Sequence, residues 1–137
     1  MKYKVEGSVI LAVGEDGDSL HEVARLLKES GDTPSTMVVT SATGMLRKIK
    51  MGYWDGEKYL EHSFEEPMEL LGISGFIARD AEPFYHFHLT LADREGRVWG
   101  GHMMEAEVCN TLELFLIGTS LRIKRVPVGN LKLISLE

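Results

Sequence analysis

Apolar residues alternate with polar ones along most of this chain, and in one segment the period lengthens to that of a helix. Lys2 to Val13 alternates weakly and is rich in Val, Ile and Leu, which predicts a strand. Gly14 to Gly17 reads as a turn. Leu20, Val23, Ala24 and Leu27 then fall on one face of a predicted helix, which Asp18 or Ser19 can cap. Ser19 with Glu22 fits a capping box, and Gly31 is expected to end the helix. After a loop over Asp32 to Ser35, the β-branched run Thr36 to Thr40 predicts a strand, and Met45 to Trp54 alternates again. Asp55-Gly56 marks a hairpin turn, with Lys58 to Phe64 as the return strand. Met68 to Ala78 is apolar, with Gly72 and Gly75 as candidate bulges. Thr111 to Ile117 predicts a further strand, and Gly129-Asn130 a turn before the apolar stretch Leu131 to Leu136. The expected fold is α+β, with about eight strands in a mainly antiparallel sheet and one clear helix near the N-terminus.

One hairpin carries candidate chemistry. Phe84 to Leu91 and Val98 to Met104 flank Arg94-Glu95-Gly96, a three-residue loop whose last member can take φ > 0 without strain. Alternation puts His86, His88 and Thr90 on one face and Phe87, Leu89 and Leu91 on the other, the natural core face. A loop centred on Glu95 directly opposes His88 to His102, with β-carbons about 4.5–5.5 Å apart. Two imidazoles at that span can share one metal ion, and His86 can supply a third ligand from the same face. A bulge at Gly100-Gly101 would instead turn His102 to the other face. Three His ligands suit zinc, nickel, copper or iron, with zinc the commonest borderline choice and a fourth position open to water or ligand. His21, in the helix, and His62, in a polar stretch, read as ordinary surface or hydrogen-bonded residues.

Composition narrows the function classes. The 137 residues fit one domain with one core. No apolar run is long enough to span a bilayer, and Met1 to Glu6 lacks the apolar core of a signal peptide. The single Cys109 excludes an intramolecular disulfide and is expected to pack in the interior, so a cytoplasmic location is the expectation. A net charge of −6 repels nucleic acid, leaving Arg47-Lys48-Ile49-Lys50 and Arg122-Ile123-Lys124-Arg125 as the local basic patches. Both alternate with apolar residues and read as solvated strand faces. Gly100-Gly101 opens no helix, so it suits close backbone approach or a bulge rather than phosphate binding. Trp99 and Met103-Met104 read as core or subunit-interface residues.

Pro67-Met68-Glu69-Leu70-Leu71, Ser74-Gly75, His86-Phe87-His88, Gly100-Gly101-His102 and Glu113 stand in the order and spacing of the plants-and-prokaryotes-conserved (PPC) domain. Gly14-Glu15 and Thr43-Gly44 match more weakly. The chain resembles this family over nearly its whole length, and HxH followed by GGH is the specific part. The resemblance implies a compact, trimer-forming α+β domain, with His86, His88 and His102 as metal ligands. It also implies DNA binding, since family members are commonly labelled so. In plants, however, an AT-hook supplies the DNA contacts, and this chain has none.

Glu69 and Glu113 lie in apolar sequence surroundings, so each is expected to orient an imidazole from behind, to act as a base, or to pair with a buried cation. Three functions compete. The first is a metal-binding homotrimeric module for a small ligand or protein partner. The second is a zinc-dependent hydrolase or lyase, with zinc-bound hydroxide and Glu69 or Glu105 as base. The third is a DNA-binding regulator. The sequence has no nucleophile elbow, HExxH or phosphate loop, so its motifs do not select an enzyme.

Overall fold

The structure is a computed structural model that describes residues 1–136. Among the described residues nine strands and one helix follow in the order β1 (Lys2–Glu6), β2 (Val9–Glu15), α1 (Leu20–Glu29), β3 (Thr36–Trp54), β4 (Tyr59–Phe64), β5 (Met68–Ala78), β6 (Tyr85–Ala92), β7 (Val98–Thr119), β8 (Lys124–Val128) and β9 (Leu131–Ser135). The mainly antiparallel α+β expectation is met. Seven strands form one sheet in the order β1-β2-β7-β6-β5-β3-β4, and β7 pairs also with β3. That extra pairing closes β3, β5, β6 and β7 into a ring. The hairpin β8–β9 forms a separate two-stranded sheet. Among the described residues no helix is long and apolar enough to cross a membrane.

Three predicted elements have different bounds. Lys2 to Val13 is two strands rather than one, reversed at Gly7 (φ 58), so that Glu6 opposes Val9. The two predicted segments Thr36–Thr40 and Met45–Trp54 belong to one 19-residue strand. The hairpin's return strand likewise runs on through Thr111–Ile117 as one 22-residue strand. Register shifts along β3 explain both mergers. Each shift breaks the period-two pattern that a reader of the sequence follows, while the backbone continues.

The helix forms where its apolar stripe predicts. Leu20, Val23, Ala24 and Leu27 are buried, and Ser19 caps it by accepting from the Glu22 amide at 3.0 Å. The capping box is not completed, because the Glu22 carboxylate turns to Arg25 instead. Gly31 does not end the helix; Ser30 is the cap residue and is extended. Its open carbonyls are closed from outside. Arg79 donates to the carbonyls of Lys28 at 2.9 Å, Ser30 at 3.1 Å and Thr33 at 2.7 Å, and the Thr33 hydroxyl donates to Leu27 at 2.6 Å. Arg79→Ala strips three carbonyls of a charged donor and is expected to cost about 2–3 kcal/mol, read as a lower urea midpoint at unchanged slope.

The core lies on the inner face of the ring and under α1. Phe87, Leu89 and Leu91 of β6 are buried there together with Met37, Ile77, Leu114 and Leu116. Burying alternate residues of β6 leaves its histidines on the outer face.

Candidate metal centre

The β6–β7 hairpin has the expected register: His88 opposes His102, and the pairing continues without a bulge through Leu89–Gly101 and Thr90–Gly100 to Ala92–Val98. The turn is built as the sequence suggests. Gly96 takes φ 81, its amide donates to the Asp93 carbonyl at 2.9 Å, and the Asp93 amide donates to the Arg97 carbonyl at 2.9 Å. The Asp93 side chain, which no motif in the sequence marks, ties the loop together. It accepts from the Glu95 and Arg97 amides at 2.9 Å and from Trp99 Nε1 at 3.0 Å. The Trp99 hydrogen bond, the backbone amides and Arg97 hold its carboxyl down at about 2.

Gly100-Gly101 serves close approach. A β-carbon on Gly101 would lie 3.1 Å from the Met51 β-carbon and 3.3 Å from the Gly52 carbonyl oxygen. This closeness sets β3 against β7, with Gly52 opposite His102. Tyr59 of β4 then crosses over Gly52 and stacks on the His102 ring, 4.7 Å between centroids at 20°.

His86, His88 and His102 converge. Their ring centroids are 4.9, 5.2 and 5.4 Å apart, and one ligand atom from each lies within 4.8 Å of the others. His86 and His88 turn Nε2 toward Nε2 at 3.0 Å. Burial pushes His86 down to about 4, and the charges of His88, His102 and Arg125 add to this. Burial, then His88 and Arg125, also lowers His102. Both rings are therefore neutral at neutral pH, the state in which imidazole ligates a metal. His102 Nδ1 is buried without a hydrogen-bond partner among the described residues. Three converging imidazoles, one with an unsatisfied buried nitrogen, fit a divalent ion of borderline softness.

The depressed values carry a sign for stability. A group held below its unfolded value of 6.5 stabilises the fold above that pH, and this contribution is lost as pH falls toward about 4. The metal-free chain is expected to lose melting temperature over that window, and His86→Gln is expected to flatten the slope. Thermal melts in chelator, taken at half-unit steps of pH, check it.

Other candidates lie elsewhere. Glu69 on β5 and Glu113 on β7 are exposed, not buried in apolar surroundings, and neither hydrogen-bonds an imidazole. Glu69 opposes Ala92 and Met45, and Glu113 opposes Val13 and Thr43, so the sheet register keeps both away from the triad. Glu105 is exposed as well. His62 is exposed on β4, and His21 contacts Tyr85 and Phe84 from the helix. Cys109 is half-buried rather than interior. In the first basic patch, Arg47 pairs with Glu107 at 2.5 Å and Asp16 at 3.0 Å, Lys48 with Glu107 at 3.8 Å and Lys50 with Glu61 at 3.9 Å. In the second, Arg122 pairs with Asp80 at 3.6 Å. Arg125 is the residue that sequence reasoning missed, since nothing in its spacing points to the histidines. It reaches His86 Nδ1 at 3.5 Å and lies over the Phe76 ring at 5.6 Å.

A family model described as the Plants and Prokaryotes Conserved (PCC) domain matches residues 2–120. Among solved structures, the chain is similar to a plant- and prokaryote-conserved protein of Pyrococcus horikoshii (25% identity, TM-score 0.80, covering 98% of this chain and 94% of that one). It is similar also to a metal-containing protein of Archaeoglobus fulgidus (28% identity, TM-score 0.75, 98% of each chain). A candidate DNA-binding protein of Ralstonia eutropha shares the fold at 20% identity and TM-score 0.85, over 99% of this chain and 96% of that one. Two Synechococcus proteins, each called bifunctional protein GlmU, match at 35% identity over 92 residues and 37% over 65. The matched segments are 65% and 47% of this chain, but only 14% and 10% of those proteins.

Proposed function

The chain belongs to the Plants and Prokaryotes Conserved domain family, and from that premise we propose that it is a metal-binding module, assembled as a homotrimer, whose triad His86, His88 and His102 holds one divalent ion, zinc being the first candidate. The observation that carries this reading is the convergence of three imidazoles on the solvent side of one hairpin. The metal-containing relative from Archaeoglobus supports it. Three side chains leave at least one coordination position for a small ligand or a partner's side chain. Elemental analysis of the purified chain, with variants of each histidine, tests the reading.

Self-assembly draws support from a row of residues on the outer face of the sheet. Val9 opposes Ile117, Ile117 opposes Val38, Val38 opposes Phe76, and Phe76 opposes His86. Val9, Val38, Ile117 and the nearby Phe115 are exposed. An apolar band of this kind suits contact with further copies of the chain. Ile117→Glu is expected to shift sedimentation from trimer to monomer while metal content persists; a trimer surviving that change removes this face as the interface.

The DNA-binding alternative draws on the candidate DNA-binding relative from Ralstonia. Against it stand the net charge of −6 and the carboxylate partners of Arg47, Lys48, Lys50 and Arg122. The zinc hydrolase or lyase alternative needs a base beside the ion, and Glu69 and Glu105 make no hydrogen bond to the histidines.

A further inference from the structure

The hairpin β8–β9 lies beyond the residues matched by the family model, and it brings a cation to the triad. Arg125 is anchored by donating from Nη1 to the Lys132 carbonyl at 2.9 Å, with its guanidinium over Phe76. Its Nε is buried and has no hydrogen-bond partner among the described residues. No carboxylate of the described residues pairs with it or with the three imidazoles. An arginine fork left half unmatched beside a cluster of nitrogen ligands is costly unless something negative meets it.

The 3.5 Å separation between Arg125 Nη2 and His86 Nδ1 sharpens this. In metal-free protein Nδ1 can hold the lone pair and accept from the guanidinium. His86 Nε2 faces His88 Nε2, so the metal reading assigns Nε2 to the ion. A neutral imidazole that ligates through Nε2 carries its proton on Nδ1. Two donors then face each other, one of them cationic. The ion adds two positive charges that its three neutral ligands do not offset. Ligating histidines almost always give their second N–H to a carboxylate, a carbonyl or water. Two donors at this spacing match the two oxygens of one carboxylate, the pairing for which guanidinium is best shaped.

We propose that the metal-loaded triad and Arg125 together bind a small carboxylate, one oxygen accepting from His86 Nδ1–H and the other from the Arg125 guanidinium, over the Phe76 ring. The proposal rests on the metal reading above. It makes the ion and the carboxylate cooperative: the ion fixes the His86 tautomer that the carboxylate needs, and the carboxylate relieves the donor–donor contact that the ion creates.

The test is a titration of zinc-loaded full-length protein with sodium acetate, at ionic strength held constant with chloride. Imidazole nitrogen NMR signals follow binding, and elemental analysis follows zinc. A saturable shift of the His86 signals is expected in wild type. Arg125→Gln is expected to weaken acetate binding about tenfold or more with zinc content unchanged. Arg125→Lys keeps the charge but loses the fork, and is expected to bind acetate more weakly than wild type. Metal-free wild type is expected to show no saturable shift. Equal acetate affinity in wild type and Arg125→Gln, or in zinc-loaded and metal-free protein, overturns the proposal while leaving the metal reading in place. Failure of wild type to take up zinc overturns the metal reading, and this proposal with it.

Discussion

Purified His88→Ala and His102→Ala proteins are expected to carry little metal, against about one ion per chain in wild type. Each substitution leaves two imidazoles where three converged. Structural zinc sites with four ligands bind with about 10–16 kcal/mol, so one lost ligand removes roughly 3 kcal/mol, or about a hundredfold in affinity. His88 is the cleaner probe. It is exposed, and its removal should leave the fold unchanged. His102 is stacked on Tyr59, so its alanine variant also loses a packed aromatic pair and is expected to melt lower. His62→Ala, exposed on β4, is the control and is expected to keep full metal content. Wild-type stoichiometry surviving in both triad variants would falsify the three-histidine site.

Gly75→Ala is expected to be the most destabilising single methyl addition near the site. Gly75 sits at φ 145, and a β-carbon there would lie 1.8 Å from the His86 carbonyl oxygen and 2.9 Å from its carbon. The obstacle is backbone, so no rotamer change relieves it. β5 and β6 must separate, or Gly75 must leave a conformation that is essentially glycine's alone. The two costs together are about 3–5 kcal/mol, a large part of the stability of a domain this size. Because the clash falls on His86 itself, metal content should fall along with the urea midpoint. Gly72→Ala makes the comparison within the same strand: a β-carbon there meets nothing within 4 Å and φ is not positive, so near-wild-type stability is expected. Similar midpoints for the two variants would mean that β5 is not held this close to β6.

The two glycines also mark how far the sequence could be read. Both lie in an apolar run where the sequence allows a bulge at either. The register shift falls between Leu70 and Gly72, while Gly75 pairs in register with Phe87. What distinguishes them is the neighbouring strand's carbonyl, which no local pattern reveals. The carboxylates make the same point. Apolar sequence neighbours and a place in a family pattern single out Glu69 and Glu113. Within a strand, however, apolar neighbours alternate sides, and an acidic residue between two buried leucines is the one that faces out. Glu113 stands between Leu112 and Leu114, both buried, and is exposed for that reason.

The hairpin was legible because every signal that sets it is local. Alternation assigned His86 and His88 to one face, Gly96 placed the turn, and a three-residue loop left one register that opposes His88 to His102. The helix was legible through its stripe and its Ser19 cap. The sequence by itself thus determined the histidine pair, the face it occupies and the strand-rich class of the fold, since these depend on residues within a few positions of one another. Only the tertiary structure decided that β3 and β7 close the ring, that Tyr59 covers His102, that Glu69 and Glu113 stand apart, and that Arg125 arrives beside His86 from 39 residues along the chain. Those contacts are made between distant segments by packing and by bulged register, and neither leaves a periodic trace in the order of the residues.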